Sequence, residues 1–163
     1  MSQENFSHLD PHGQAQMVDV SDKPVTRRVA EASCKVLLSA QTVIRLANLP
    51  KGDAFAVARL AGIQGAKKTG DLVPLAHPLP LDQVEIEIAP VAQGVEIKSR
   101  VVCNARTGAE MEALVACSTA ALALYDMVKA VEREAVITDL RLEAKSGGQR
   151  GTYRRQGSPS SPR

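Results

Sequence analysis

The chain has 163 residues, 44% of them apolar, and a net charge of only +2. It is long enough for one sizeable core and too nearly neutral to hold nucleic acid by general electrostatic attraction. Two Phe, two Tyr and no Trp leave a core of Ala, Val, Leu and Ile, whose small side chains bury little area each and suit completion by partner subunits.

Residues 1–13 are polar and aperiodic and read as a mobile arm; a single domain follows over 14–150. Residues 25–38 alternate. Ala30, Ala32, Cys34, Val36 and Leu38 share one face, with Arg27, Glu31, Ser33 and Lys35 on the other, as in a half-buried strand. Ser39 can cap a short helix to about Ala47. After the break at Pro50, Asp53 can cap a second helix, AFAVARLAGIQGAKK. Pro74, Pro78 and Pro80 then hold His77 on a constrained loop. Val84, Ile86 and Ile88, and after Gly94 the run Val95, Ile97, Ser99, Val101 and Cys103, form a β-hairpin with one wet face. A long helix is expected from about Ala109 to Arg133 and a last strand over 136–143. From 151 to 163 the apolar residues run out, and a disordered tail is expected. This order predicts an α+β layer, an antiparallel sheet with helices packed on one face.

The first residues show no apolar leader, and no run of about 18 apolar residues suggests a membrane span. Cys34, Cys103 and Cys117 make no CxxC pair and no Cys/His cluster, so a zinc site is not expected and a reducing cytoplasm is.

Four places carry candidate chemistry. Lys51-Gly52-Asp53 stands at a helix entrance, where an ammonium and free N–H groups could converge on phosphate; the plainer reading is a solvated turn with a cap. His77, between prolines, suits an acid/base group or phosphate contact, or a histidine that only ties its loop. Glu110 and Glu112 begin a helix, where the dipole favours them, and their spacing turns them in different directions. Asp126 and Lys129 are helix neighbours after the apolar run ALALY, so the acid could be partly buried and tuned by the lysine; a surface ion pair is the commoner meaning. Lys145, before two glycines, has the look of an anion-approach loop. Glu112 and Asp126 stand fourteen residues apart on one expected helix. That is roughly 21 Å, too far for one small-molecule site. Either one of them is not used there, or the site is shared between subunits.

Read together, KGDAFAVARLAGIQGAKKT, VPLAHPL, TGAEMEAL, ALYDMVKAV and LEAKSGG resemble the MoaC family, the cyclic pyranopterin monophosphate synthases, from Met17 to Gly148. The resemblance implies a ferredoxin-like fold, a homohexamer built from dimers, and an active site at the dimer interface. It implies conversion of a 3′,8-cyclised dihydroguanosine triphosphate to cyclic pyranopterin monophosphate, with release of pyrophosphate. Catalytic positions would be Asp126, Lys129 and Lys145; substrate-binding positions would be Lys51, Leu75, Ala76, His77, Glu110, Met111 and Glu112. Ala76 stands where the family often has Cys, and Gly70 where it often has Trp.

No organic cofactor and no protein-held metal is expected, although Mg2+ can accompany the triphosphate; no nucleic-acid or membrane partner is implied. The proposed division of labour has Asp126 and Lys129 moving protons with Lys145 assisting. Lys51 and His77 grip the triphosphate, and the two glutamates hold the guanine-like part. On the residues alone, a purine-nucleotide phosphohydrolase or cyclohydrolase, or a non-enzymatic nucleotide-binding oligomer, would use the same groups.

Overall fold

The alternation over residues 25–38 forms a strand because one parity is apolar and small. In β1, Thr26–Leu37, Ala30, Ala32, Cys34 and Val36 are buried and Arg27 is exposed. The computed structural model describes residues 8–149 and 151–157. Helix α1, Ala40–Arg45, opens where the Ser39 hydroxyl accepts from Thr42 N–H, and a single 3-10 turn, Leu46–Asn48, follows. Asp53 starts α2, Ala54–Lys67, by accepting from the N–H groups of Phe55 and Ala56, each at 3.0 Å. A four-residue α3, Thr69–Leu72, precedes the proline loop. The hairpin β2, Leu81–Val91, and β3, Gly94–Ala105, leads to α4, Glu110–Val128. Strands β4, Val136–Ser146, and β5, Tyr153–Arg154, complete the order.

The five strands form one antiparallel sheet in the order β2-β3-β1-β4-β5. Without the short last strand this is the βαββαβ ferredoxin-like arrangement, in which each helical crossover carries the chain past one intervening antiparallel strand to a strand parallel to the one it left. Helix α4 lies against β1, β3 and β4; α2 lies against α4 and β2.

The aromatic-poor composition has a local use here. The two main helices meet through small residues: Ala54, Ala58, Gly62, Gly65 and Ala66 on α2, and Ala113, Ala116, Ala120 and Ala121 on α4 are all buried. A Cβ on Gly62 would stand 3.0 Å from the Ala116 carbonyl, and one on Gly65 would collide with the Thr119 hydroxyl. Small side chains therefore bring the backbones close, which sums many weak dispersion contacts in place of a few large ones. Large apolar side chains remain outside, among them Ile44, Leu60 and Leu122.

Three expectations change. The long helix ends at Val128, not near Arg133: the Tyr125 hydroxyl donates to the Arg133 carbonyl and Glu132 accepts from Ser39, so the chain folds back over 129–133. A segment long and apolar enough to span a membrane is present after all, since α4 qualifies, but half of it is buried as the core helix. Part of the expected tail pairs with the sheet: Tyr153 and Arg154 lie opposite Lys145 and Ala144, and Arg155 N–H donates to the Glu143 carbonyl. Residues 1–7 of the expected arm and 158–163 of the expected tail lie outside the described residues.

Candidate active site

Near the start of α4, a cleft of about 630 Å3 opens between three segments: the exits of β3 and β4, the loop 75–79, and the stretch 18–24. Seven of the ten candidate residues line it: Leu75, Ala76, His77, Glu110, Met111, Glu112 and Lys145. Lys145 does not stand on a loop. It is the second-last residue of β4, paired with Ala30 of β1, and the sheet register turns it to the helix face. There its Nζ meets Glu110 Oε1 at 2.6 Å.

The two glutamates diverge as their spacing requires. Glu110 is part-exposed and paired with Lys145. Glu112 is 3% exposed and makes no ion pair among the described residues. Burial pushes the Glu112 carboxyl up to about 7, and the Glu110 charge adds to the rise. A carboxyl poised there can hold or release a proton near neutral pH.

His77 is tied down: its Nε2 stands 2.9 Å from the Val18 carbonyl oxygen. A carbonyl can only accept, so Nε2 carries the hydrogen. On a neutral ring Nδ1 is then itself an acceptor, and only the imidazolium could meet a phosphate oxygen there. The contact also fixes the segment 18–24 as a wall of the cleft. Gly70 lies against Pro78, where a Cβ would stand 3.3 Å from its Cα, so a large side chain at position 70 would press on the loop that holds His77.

The other three candidates are at the far end of α4. Asp126 Oδ1 accepts from Lys129 Nζ at 2.6 Å and Oδ2 from Lys51 Nζ at 2.9 Å; Lys51 Nζ also reaches the Asp126 carbonyl at 2.7 Å. Two cations at the C-terminus of a helix complement its dipole. Asp126 is not partly buried: its side chain is 56% exposed, and the pair is the surface ion pair that such spacing commonly means. Its carboxyl is not moved toward neutrality either. The hydrogen bond from Lys129, then that from Lys51, holds it down to about 2, and Asp126 in turn raises Lys129.

The structure therefore regroups the predicted residues. Lys51 sits with Asp126 and Lys129, away from His77, and Lys145 sits with Glu110, away from Asp126. The entrance of α2 is also not an open phosphate cradle, since Asp53 already occupies its first N–H groups. Lys23, Arg28, Arg106 and Thr107 line the cleft and were not foreseen. For Arg28 a signal existed: the alternation that buries Ala30, Ala32 and Cys34 puts residue 28 on the same face, and a cation on a core face is unusual. Among the described residues, no group of three or more His, Cys, Asp and Glu side chains could hold a metal ion.

The MoaC family profile matches residues 17–148, a span that includes both ends of α4. A cyclic pyranopterin monophosphate synthase of Streptomyces griseus subsp. griseus is 54% identical over 156 residues, 94% of this chain and 88% of that protein. The enzyme of the same name from a Nostoc species is 53% identical over 153 residues, 91% of each chain. That from Thermomicrobium roseum is 50% identical over 155 residues, 93% of each.

Proposed function

The chain belongs to the MoaC family, and from that premise we infer that it catalyses the cyclic pyranopterin monophosphate synthase reaction, a lyase step of molybdenum-cofactor biosynthesis. The substrate is 3′,8-cyclo-7,8-dihydroguanosine 5′-triphosphate, and the products are cyclic pyranopterin monophosphate and pyrophosphate. The single observation that carries this reading is the 54% identity over 94% of the chain. Mg2+ enters with the triphosphate. The working form is a cytoplasmic homohexamer, a trimer of dimers.

The length of α4 supports a site shared between two copies. Asp126 and Glu112 are separated by fourteen helical residues, roughly 21 Å, and the helix is continuous. A second copy with its helix reversed brings its Lys51–Asp126–Lys129 end to the cleft of the first. The exposed large side chains Ile44, Leu60 and Leu122 supply apolar surface that such an assembly can bury.

The reaction opens and recloses a purine-derived ring, which needs proton transfers, and it closes a cyclic phosphate, which needs fixed positive charge. Asp126 is ionised at neutral pH and Lys129 is held protonated, so Lys129 is the first donor of the pair. Once Lys129 has given up its proton, the larger of the two influences that hold Asp126 down is gone and that of Lys51 remains, so the carboxylate becomes a better acceptor than it was. Lys51 continues as the second cation of this group. Lys145, set by Glu110, polarises the developing anion. Glu112 and Met111, with Leu75, Ala76 and His77, hold the rest of the substrate.

The test is turnover of the 3′,8-cyclised dihydro-GTP compound by the purified protein, followed as pyrophosphate and, after oxidation, as fluorescent pterin. Both products should form, and Lys129→Ala and Asp126→Asn should abolish them. A folded protein that releases phosphate or formate in their place would replace this reading with a purine-nucleotide hydrolase.

A further inference from the structure

Arg28 makes an unusual set of bonds. Its Nε donates to the Ala105 carbonyl at 3.3 Å, Nη2 to the Arg106 carbonyl at 3.0 Å, and Nη1 to the Gly147 carbonyl at 3.3 Å. All three acceptors are backbone groups at or just past the ends of β3 and β4, the two strands that flank β1. Among the described residues the guanidinium has no carboxylate partner. The same two strand exits carry the charged pair of the cleft: β3 leads through Gly108 to Glu110, and β4 ends beside Lys145. The guanidinium and the Glu110–Lys145 bond thus span one gap at two levels.

The two glycines after Ser146 fit this arrangement. Gly147 and Gly148 have φ of +95° and +78°. A Cβ on Gly148 would fall on Arg28 Nη1, and one on Gly147 would fall on the Arg27 carbonyl oxygen. Gly148 makes room for the guanidinium and Gly147 for the Arg27 carbonyl, and both take a φ that favours glycine. A fixed planar fork of five N–H donors is the only side chain that can reach three carbonyls in this way; an ammonium is a point donor.

We propose that Arg28 is a positioning residue for the reaction, which clamps the exits of β3 and β4 and so sets the distance between Glu110 and Lys145. The proposal rests on the synthase reading above. A lysine at position 28 keeps the charge and loses the fork, so the gap relaxes while the electrostatic field of the cleft stays. Displacement of reacting groups by an ångström costs up to about 100-fold in rate.

The experiment compares wild type, Arg28→Lys and Gly148→Ala, the last of which pushes on the guanidinium from the loop side. Steady-state turnover and thermal melting are measured for each. The expected result is a kcat fall of roughly 10- to 100-fold in both variants, KM changed by less than about threefold, and folded protein throughout. Arg28→Lys with kcat within about twofold of wild type would overturn the proposal. So would a change in KM alone, which would make Arg28 a simple charge contact. Loss of folded protein in both variants would make it a stability residue and overturn it too. Wild type that fails to turn over sinks the synthase reading, and the clamp's role with it; normal wild-type turnover with undiminished variants sinks only the clamp.

Discussion

At the N-terminal end of α4, Glu110 is committed to Lys145 and Glu112 is shut away from water; at the C-terminal end, Asp126 stands in the open between two lysines. Both ends combine carboxylates and lysines, and the helix dipole favours each arrangement. Their protonation nevertheless differs by about five decades in proton affinity, since Glu112 rises to about 7 and Asp126 falls to about 2. Desolvation decides the first and paired ammonium groups decide the second. The lesson is that one helix can supply a group that titrates near neutrality and a group that stays ionised.

The largest effect should come from breaking the open end. Lys129→Ala and Lys51→Ala are expected to lower turnover by at least about 100-fold, as loss of a positioned proton donor does. Melting should scarcely change, because exposed ion pairs contribute little to stability. A parallel loss of melting temperature would mean that this end holds the fold and does no chemistry.

Mixing sharpens the comparison further. Chains with Lys129→Ala and chains with Glu112→Gln should each be inactive. Co-refolded together, they should recover about a quarter of wild-type turnover if every site takes one end of α4 from each of two copies. No recovery, with mixed oligomers present, would return both ends to one chain and remove the shared site.

The buried end makes a pH prediction. Glu112 has a folded-state value near 7 against an ordinary 4.5, so the folded chain binds the extra proton. Stability therefore declines as pH rises from about 4.5 to 7, and the burial cost is complete above that range. Glu112→Gln should match wild type near pH 4 and exceed it by about 3 kcal/mol at most near pH 8. Chemical denaturation at the two pH values reads this directly, and equal stability at both would place the Glu112 carboxyl in contact with water. Asp126→Asn keeps Glu112 and should decline with pH as wild type does, its difference from wild type changing little from about pH 5 to 8, because Asp126 is ionised throughout that range. The smallest effect belongs to the cap of α2. Asp53→Ala should cost about 1 kcal/mol in the same denaturation experiment, with Lys51 left able to pair with Asp126.

Much of the fold was legible because it depends on local pattern. The alternation in β1 and the hairpin, the Ser39 and Asp53 caps and the apolar run of α4 each gave an element in its place, and their order gave an α+β layer with an antiparallel sheet. The fourteen-residue interval between Glu112 and Asp126 was also legible, and with it the conflict that a single chain cannot place both in one small site. The end of α4 was misjudged because its signal is a hydrogen bond from Tyr125 to Arg133, not a Gly or Pro.

The sequence by itself determined which elements form, which residues carry charge at their ends, and how far apart those ends must be, since these follow from periodicity and helical rise. Tertiary structure alone decided that Lys51 reaches Asp126, seventy-five positions away, and that Arg28 joins two strand exits. It alone decided that Glu112 is dry while Asp126 is wet. Partner choice and desolvation arise from segments that the sheet register and helix packing bring together. No local spacing encodes how much water is left around a carboxylate.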